Sequence, residues 1–210
     1  MNLNQSLQEY FNDLSSNSPT PGGGNVAALC GAVSASHGTM VCNLTIGKKK
    51  YADIENEMLA VKQKLEAYQK EFFILAEKDN QAFDKVMEAF KLPKETEPEK
   101  DLRTKKIEEA TIGAADVPSQ VIKLCKDILK ELQIVSEKGN KNSLSDAGVA
   151  ISVLKAAAQG AYLNVLINCT SMNNQTFASE MKKSVDILLE EVEYEAAGIF
   201  NQIVKSISAA

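Results

Sequence analysis

Apolar residues recur along this chain at three- and four-residue steps, the period of amphipathic helices, and nowhere alternate convincingly as a strand would. Leu3, Leu7, Tyr10, Phe11 and Leu14 predict a short helix from Leu3 to Leu14. A second helix is predicted over about Asn25 to Ile46. It carries the small residues Ala27, Ala28, Gly31, Ala32, Ala35 and Gly38. Small faces let neighbouring helices approach closely, so this segment is expected to be the innermost element. Met58, Val61, Leu65, Tyr68, Phe72 and Leu75 then mark a long helix from about Asp53 to Phe90.

The punctuation between these segments is equally regular. Gly47 ends the second helix, and Lys48-Lys49-Lys50-Tyr51 opens a charged turn. Leu92-Pro93 ends the third, since proline cannot continue a helix and restricts the residue before it. Thr96 and Glu99 form a capping box, with Pro98 tolerated in the first turn of a helix reaching about Ala115. Pro118 predicts a break or kink before a further helix to about Lys138, which Gly139 closes. Ser143 and Asp146 mark a capped start leading to a largely apolar helix through Ile167, and a last amphipathic helix fills roughly Gln175 to Ile207.

Nothing repeats at a fixed period and no linker separates domains. The expected architecture is all-α, a single-domain bundle of about six helices over residues 1–210 with a long central helix. The long helix and the exposed leucines of the last one leave surface for a partner copy.

Composition narrows the function classes. At 210 residues with 44% hydrophobic content, the chain suffices for one substantial core. A net charge of −5 and a pI near 5.1 argue against general nucleic-acid binding. Residues Asn25 to Gly47 carry no charge over a membrane-spanning length, but they are rich in Ala, Ser, Gly, Asn and Thr, which favours a buried helix over a span. The N-terminus lacks the basic start and apolar core of a signal peptide. Cys30, Cys42, Cys125 and Cys169 are far apart, no CxxC occurs, and His37 is the one histidine, so a zinc site has little to be built from. Reduced buried thiols in a cytoplasmic protein are expected.

Candidate chemistry begins at Pro19-Thr20-Pro21-Gly22-Gly23-Gly24. The prolines hold the approach extended, and the glycines bring backbone N–H groups close to a ligand at the positive end of the second helix. The loop is not a Walker motif, because it lacks the terminal Gly-Lys-Ser/Thr and follows no strand. Lys48, Lys49 and Lys50 suit an anionic ligand or simply a solvated turn. Asp79 lies between the apolar residues Leu75 and Phe83. It is either an exposed helix acid or a carboxylate whose pKa is raised by apolar surroundings. Asp146 either orients polar ligand atoms or serves as an acid in a helix's first turn. His37, mid-helix, reads as structural.

Several blocks taken together resemble one family. They are Pro19 to Ala28, Leu44 to Tyr51, Asp79-Asn80-Gln81-Ala82-Phe83, Lys91 to Lys94, Gly139-Asn140 with Ser145-Asp146, and Ala161 to Asn168. In this order, over nearly the whole chain, they are similar to the cyclodeaminase/cyclohydrolase family of folate enzymes. That family includes the cyclodeaminase half of bifunctional formiminotransferase-cyclodeaminases and stand-alone methenyltetrahydrofolate cyclohydrolases. The resemblance implies an all-helical homodimer acting on a tetrahydrofolate that carries one carbon unit, with Asp79 as the catalytic residue and no metal or other cofactor. The formiminotransferase half has no counterpart here. Asn25 stands where serine commonly follows the glycines, and both residues cap helices.

On this basis Pro21, Gly22, Gly23 and Gly24 suit a polar or anionic part of the ligand, Lys48 to Lys50 suit its glutamate tail, above all a polyglutamylated one, and Asn140 and Asp146 suit the pterin. The expected reaction is cyclodeamination of 5-formimidoyltetrahydrofolate to 5,10-methenyltetrahydrofolate and ammonia, with Asp79 as general acid and base. The alternatives are hydrolysis of 5,10-methenyltetrahydrofolate to 10-formyltetrahydrofolate, and a non-catalytic folate-binding or purely structural bundle. The close run of block matches favours cyclodeaminase, and the stand-alone architecture favours cyclohydrolase. No nucleic-acid or membrane partner is expected.

Overall fold

The computed structural model describes residues 5–209, so Leu3 of the first predicted helix lies outside them. Six α-helices follow one another: α1 Leu7–Leu14, α2 Gly23–Thr45, α3 Glu55–Phe90, α4 Glu97–Lys138, α5 Leu144–Thr170 and α6 Gln175–Ser208. Short 3-10 segments at Lys49–Ile54 and Lys141–Ser143 lead into α3 and α5, and no strand occurs among the described residues. The all-α bundle expected from the periodicity is what forms.

Local signals account for the helix ends. Ser6 and Glu9 make a reciprocal capping box at α1, with Ser6 N–H donating to Glu9 Oε2 at 2.8 Å, and Thr96 and Glu99 repeat it at α4. Gly47, at φ 77°, takes the left-handed conformation that terminates α2. The start of α5 differs from expectation. Ser143 makes no side-chain cap, and Asn140 instead accepts from Asn142 N–H at 3.1 Å, capping the 3-10 turn that precedes α5.

Pro118 does not break α4, which runs unbroken from Glu97 to Lys138. A proline there removes the N–H that would bond the Ala114 carbonyl one turn earlier. Asn168 of α5 replaces it, its Nδ2 donating to Ala114 O at 3.1 Å. A side chain far away in sequence thus keeps α4 whole.

Helix α2 lies innermost, packed on α3, α5 and α4, while α5 also contacts α4 and α6. It runs antiparallel to α3, and their seam repeats every seven residues. A β-carbon on Gly31 would lie 2.3 Å from the Phe72 ring, and one on Gly38 would lie 3.0 Å from Leu65. Gly24 stands in the same relation to Asp79. Glycine at each level lets a large α3 side chain drop into the α2 backbone, and Phe72 and Leu65 are wholly buried there. Each such burial stabilises the fold by roughly 1.5–3 kcal/mol. Against α5, Gly160 meets Ala27 and Ser34 Oγ donates to Ala150 O at 2.8 Å, again antiparallel.

The last helix is amphipathic as expected, but its strongly exposed apolar residues are Ile187, Tyr194, Phe200, Val204 and Ile207. Leu188 and Leu189 pack against the core instead. All four cysteines are free thiols. Burial pushes Cys42 up to about 11 and raises Cys125, which is fully enclosed.

Candidate active site

Asp79 occupies the α3 position that the seven-residue seam gives to Met58, Leu65 and Phe72, so a carboxylate stands where the packing calls for an apolar group. It sits against the first turn of α2. A β-carbon on Gly24 would be 2.1 Å from Asp79 Oδ1, 2.6 Å from Cγ and 2.8 Å from Oδ2. The carboxylate therefore occupies space that only glycine leaves open.

The reason for this placement is electrostatic as well as steric. The N-cap of α2 is Gly22, which has no side chain to accept the first N–H groups, and α2 begins at Gly23, two residues earlier than the sequence suggested. Asp79 supplies that acceptor from another helix, taking the Asn25 N–H. Asn25 itself is thus the third residue of α2 and not its cap. Burial raises the Asp79 pKa above its usual 3.8, and the Asn25 N–H offsets part of that rise. The N–H groups of Gly23 and Gly24 have no acceptor within the helix and point into the same region.

Around this pair the chain builds a fixed frame. Asn25 is fully buried. Its Oδ1 accepts from Tyr10 OH at 2.8 Å, and its Nδ2 donates to Ala76 O at 2.8 Å and to Asn80 Oδ1 at 3.3 Å. One side chain so ties α1, α2 and α3 together beside Asp79. From α5, Asn164 closes the other side, its Nδ2 2.9 Å from where a Gly23 β-carbon would be. Pro21, reached through a cis Thr20–Pro21 peptide, and Gly22 are half-buried at the mouth.

The predicted residues separate into two groups. Pro21, Gly22, Gly23, Gly24 and Asp79 come together at the N-terminal end of α2. Lys48, Lys49 and Lys50 lie exposed beyond its C-terminal end, a helix length of about 33 Å away. Asn140 is at that far end too. Its N–H donates to Thr45 Oγ1 at 2.8 Å and its Nδ2 to Leu44 O at 2.9 Å, so its polar atoms staple α4 to α2. Asp146 is half-buried in the first turn of α5. Half-buried His37 lies mid-helix, its Nδ1 buried without a partner. Among the described residues no three His, Cys, Asp or Glu side chains converge on a possible ion site.

Tyr10 and Asn164 are the site residues that residue-by-residue reading passed over. One signal for Asp79 was present in the spacing: Gly24, Gly31 and Gly38 recur by sevens, as do Met58, Leu65, Phe72 and Asp79.

A half-desolvated carboxylate at the N-terminus of a buried helix, with further N–H groups beside it, is suited to proton transfer on a polar ligand. The molecule is of the class of all-helical bundles, and it holds a partly buried carboxylate between two packed helices. Residues 6–187 match the family model described as formiminotransferase-cyclodeaminase, and the chain belongs to that family. It is 41% identical over 199 residues to a methenyltetrahydrofolate cyclohydrolase of Methylorubrum extorquens, covering 95% of this chain and 93% of that one. It is 31% identical to the formimidoyltransferase-cyclodeaminase of Rattus norvegicus over 96% of its own length, but spans 37% of that protein. The crystal structure of a formiminotetrahydrofolate cyclodeaminase from Thermotoga maritima matches with a TM-score of 0.81 and 34% identity, covering 98% of this chain and 97% of that one.

Proposed function

We propose that this protein works on the carbon bridging N5 and N10 of tetrahydrofolate, with Asp79 moving the proton. The observation that carries the proposal is the Asp79 carboxylate held against the glycine-opened end of α2, its pKa raised by burial. The similarity at matching length to a methenyltetrahydrofolate cyclohydrolase supports water as the nucleophile.

In that reaction 5,10-methenyltetrahydrofolate presents a cationic amidinium, which a neighbouring carboxylate attracts. Asp79 takes a proton from water as its oxygen bonds the bridging carbon. It returns that proton to N5 as the C–N5 bond breaks, and the remaining hydroxyl proton leaves to solvent. The products are 10-formyltetrahydrofolate and one proton. No oxidation state changes, so no electron carrier enters the balance. The Gly23 and Gly24 N–H groups stabilise oxygen charge that develops at the tetrahedral carbon.

The similarity to the solved Thermotoga maritima protein supports cyclodeamination as a second reading on the same site. There N10 attacks the carbon of the protonated formimidoyl group, Asp79 carries the N10 proton to the exocyclic nitrogen, and ammonia leaves as that C–N bond breaks to give the methenyl cation. The ring closure is intramolecular, so holding the nitrogens in line supplies much of the acceleration. Either substrate is a tetrahydrofolate one-carbon derivative, and a homodimer is the proposed working unit.

Absorbance at the methenyltetrahydrofolate band decides between them. Loss faster than in buffer establishes the cyclohydrolase, and growth from 5-formimidoyltetrahydrofolate with ammonia release establishes the cyclodeaminase. Asp79→Asn is expected to reduce either rate by about 10²–10⁴-fold while substrate still binds. Full activity in that variant refutes the role given to Asp79.

A further inference from the structure

Helix α1 buries one side chain, and that side chain makes a polar contact. Of the described residues Leu7–Leu14, Tyr10 alone is buried, while Leu7 and Phe11 are 65% and 51% exposed. An eight-residue helix is too short to be stable by itself, so α1 depends on a tertiary anchor, and Tyr10 supplies one. Its hydroxyl donates to Asn25 Oδ1 at 2.8 Å, where both residues are enclosed. Burial pushes the Tyr10 hydroxyl up to about 12, so it keeps its proton and stays a donor at any working pH.

The direction of this contact is forced from the other side. Asn25 Nδ2 donates to Ala76 O and to Asn80 Oδ1, so the amide oxygen has to face Tyr10. A flipped amide would set oxygen against the Ala76 carbonyl. The two α3 partners also bracket Asp79, Ala76 three residues before it and Asn80 one after. The Asn25 side chain therefore grips the turn of α3 that carries the carboxylate, while the Asn25 N–H donates to Asp79 itself. An apolar trio of the same shape would hold the helices about as well, since a buried hydrogen bond contributes little net stability. What the polar trio adds is direction, because each atom has few acceptable partners.

We propose that Tyr10 is a positioning residue for Asp79: its hydroxyl locks the Asn25 side chain, and through it the first turn of α2 and the 76–80 turn of α3, in the arrangement that aims the carboxylate into the cleft. This rests on the acid–base role given to Asp79 above. Without the hydroxyl, Asn25 Oδ1 is enclosed with no donor, and the side chain is drawn away from α3. The carboxylate then loses its N–H partner and leaves the reacting geometry, where about 1 Å costs about 10²-fold in rate.

Tyr10→Phe removes one oxygen and tests this. In the folded variant, kcat on whichever of the two folates the protein turns over is expected to fall by about 10–100-fold, with KM within about twofold of wild type. A kcat within about twofold of wild type overturns the proposal. The Asp79→Asn background separates positioning from a general loss of structure. There, adding Tyr10→Phe is expected to change the residual rate by less than about twofold, because the group it aims is gone. A second loss as large as the first overturns the proposal.

A second readout needs no turnover. The carboxyl-carbon NMR signal of Asp79, assigned by its loss in Asp79→Asn, is titrated in the protein alone. Loss of the Asn25 N–H is expected to raise its midpoint in Tyr10→Phe. The charged groups nearby, Glu77 and Lys78 on α3, Asp116 on α4, and Glu9 and Asp13 on α1, are unchanged by the substitution, and α5 carries no charge between Lys155 and Thr170. An unmoved midpoint overturns the proposal. If Tyr10→Phe does not fold, Asn80→Ala cuts the half-buried arm of the same network, and the two readouts decide in the same way. If neither folate is turned over while the midpoint rises, the folate reading fails and the positioning of Asp79 by Tyr10 stands.

Discussion

Gly24→Ala should disable the site without disturbing the bundle. The new methyl group would lie 2.1 Å from Asp79 Oδ1 and 2.6 Å from its Cγ. Ordinary contact begins near 3.4 Å, so the carboxylate has to retreat by more than an ångström and lose the Asn25 N–H. A misplacement of about 1 Å at a reacting group costs about 10²-fold in rate. Stability changes little. Alanine in place of a helical glycine gains roughly 0.5–1 kcal/mol, and loss of the capping carboxylate costs roughly 0.5–2 kcal/mol.

The sum is small, and a melting temperature within about 6 °C of wild type is expected for a chain of this size. The same substitution seven residues on, Gly31→Ala, has the opposite profile. Its methyl would meet the Phe72 ring at 2.3 Å, and Phe72 is wholly buried, so nothing can swing aside. Overpacking of this kind costs about 1–3 kcal/mol. That lowers the melting temperature by roughly 2–12 °C while the folded fraction keeps its turnover. The assay is kcat/KM on methenyltetrahydrofolate beside a thermal melt for each variant. Wild-type kcat/KM in Gly24→Ala would refute the placement of Asp79 as the reacting group.

Asp79→Asn is expected to raise the melting temperature at neutral pH, because the wild-type carboxylate is held ionised against burial. With the folded pKa above 3.8, the native state binds the extra proton in that window, so wild-type stability falls as pH rises through it. The advantage of the asparagine variant should vanish as pH falls toward 3.8, and thermal melts across pH test the sign. Wild-type turnover should fall on acidification at a pH above the ordinary aspartate value, and a pH–rate profile reads this directly. Asn168→Ala strands the Ala114 carbonyl and should cost about 1–3 kcal/mol. Adding Pro118→Ala restores the helical N–H and most of that loss, so a double-mutant cycle by denaturant unfolding should show strong coupling. Tyr10→Phe leaves the buried Asn25 Oδ1 without its hydroxyl donor and should lower stability by about 1–3 kcal/mol, with faster amide exchange in α1.

Much of this protein was legible in the order of its residues, because helix signals are local. The three- and four-residue steps, the Thr96–Glu99 box, Gly47 and the Leu92-Pro93 stop depend on neighbours within one or two turns, and each acts in the fold as its type demands. The family blocks were legible for the same reason. Pro118 was not, because the group that rescues it, Asn168, is fifty residues away and a side-chain amide leaves no periodic trace. Asn25 was misplaced as a cap because the true acceptor for the α2 N-terminus is Asp79, on another helix.

The sequence by itself thus determined where the chain is helical, most of the helix ends and the presence of a carboxylate in an apolar seam. Only the tertiary structure decided that Gly24 opens the space for that carboxylate, that Asn164 and Tyr10 attend it, and that Lys48–Lys50 stand a helix length away in the same chain. Helix formation is decided by local backbone energetics. Which side chains meet is decided by how whole helices pack, and residues far apart in the chain settle that together.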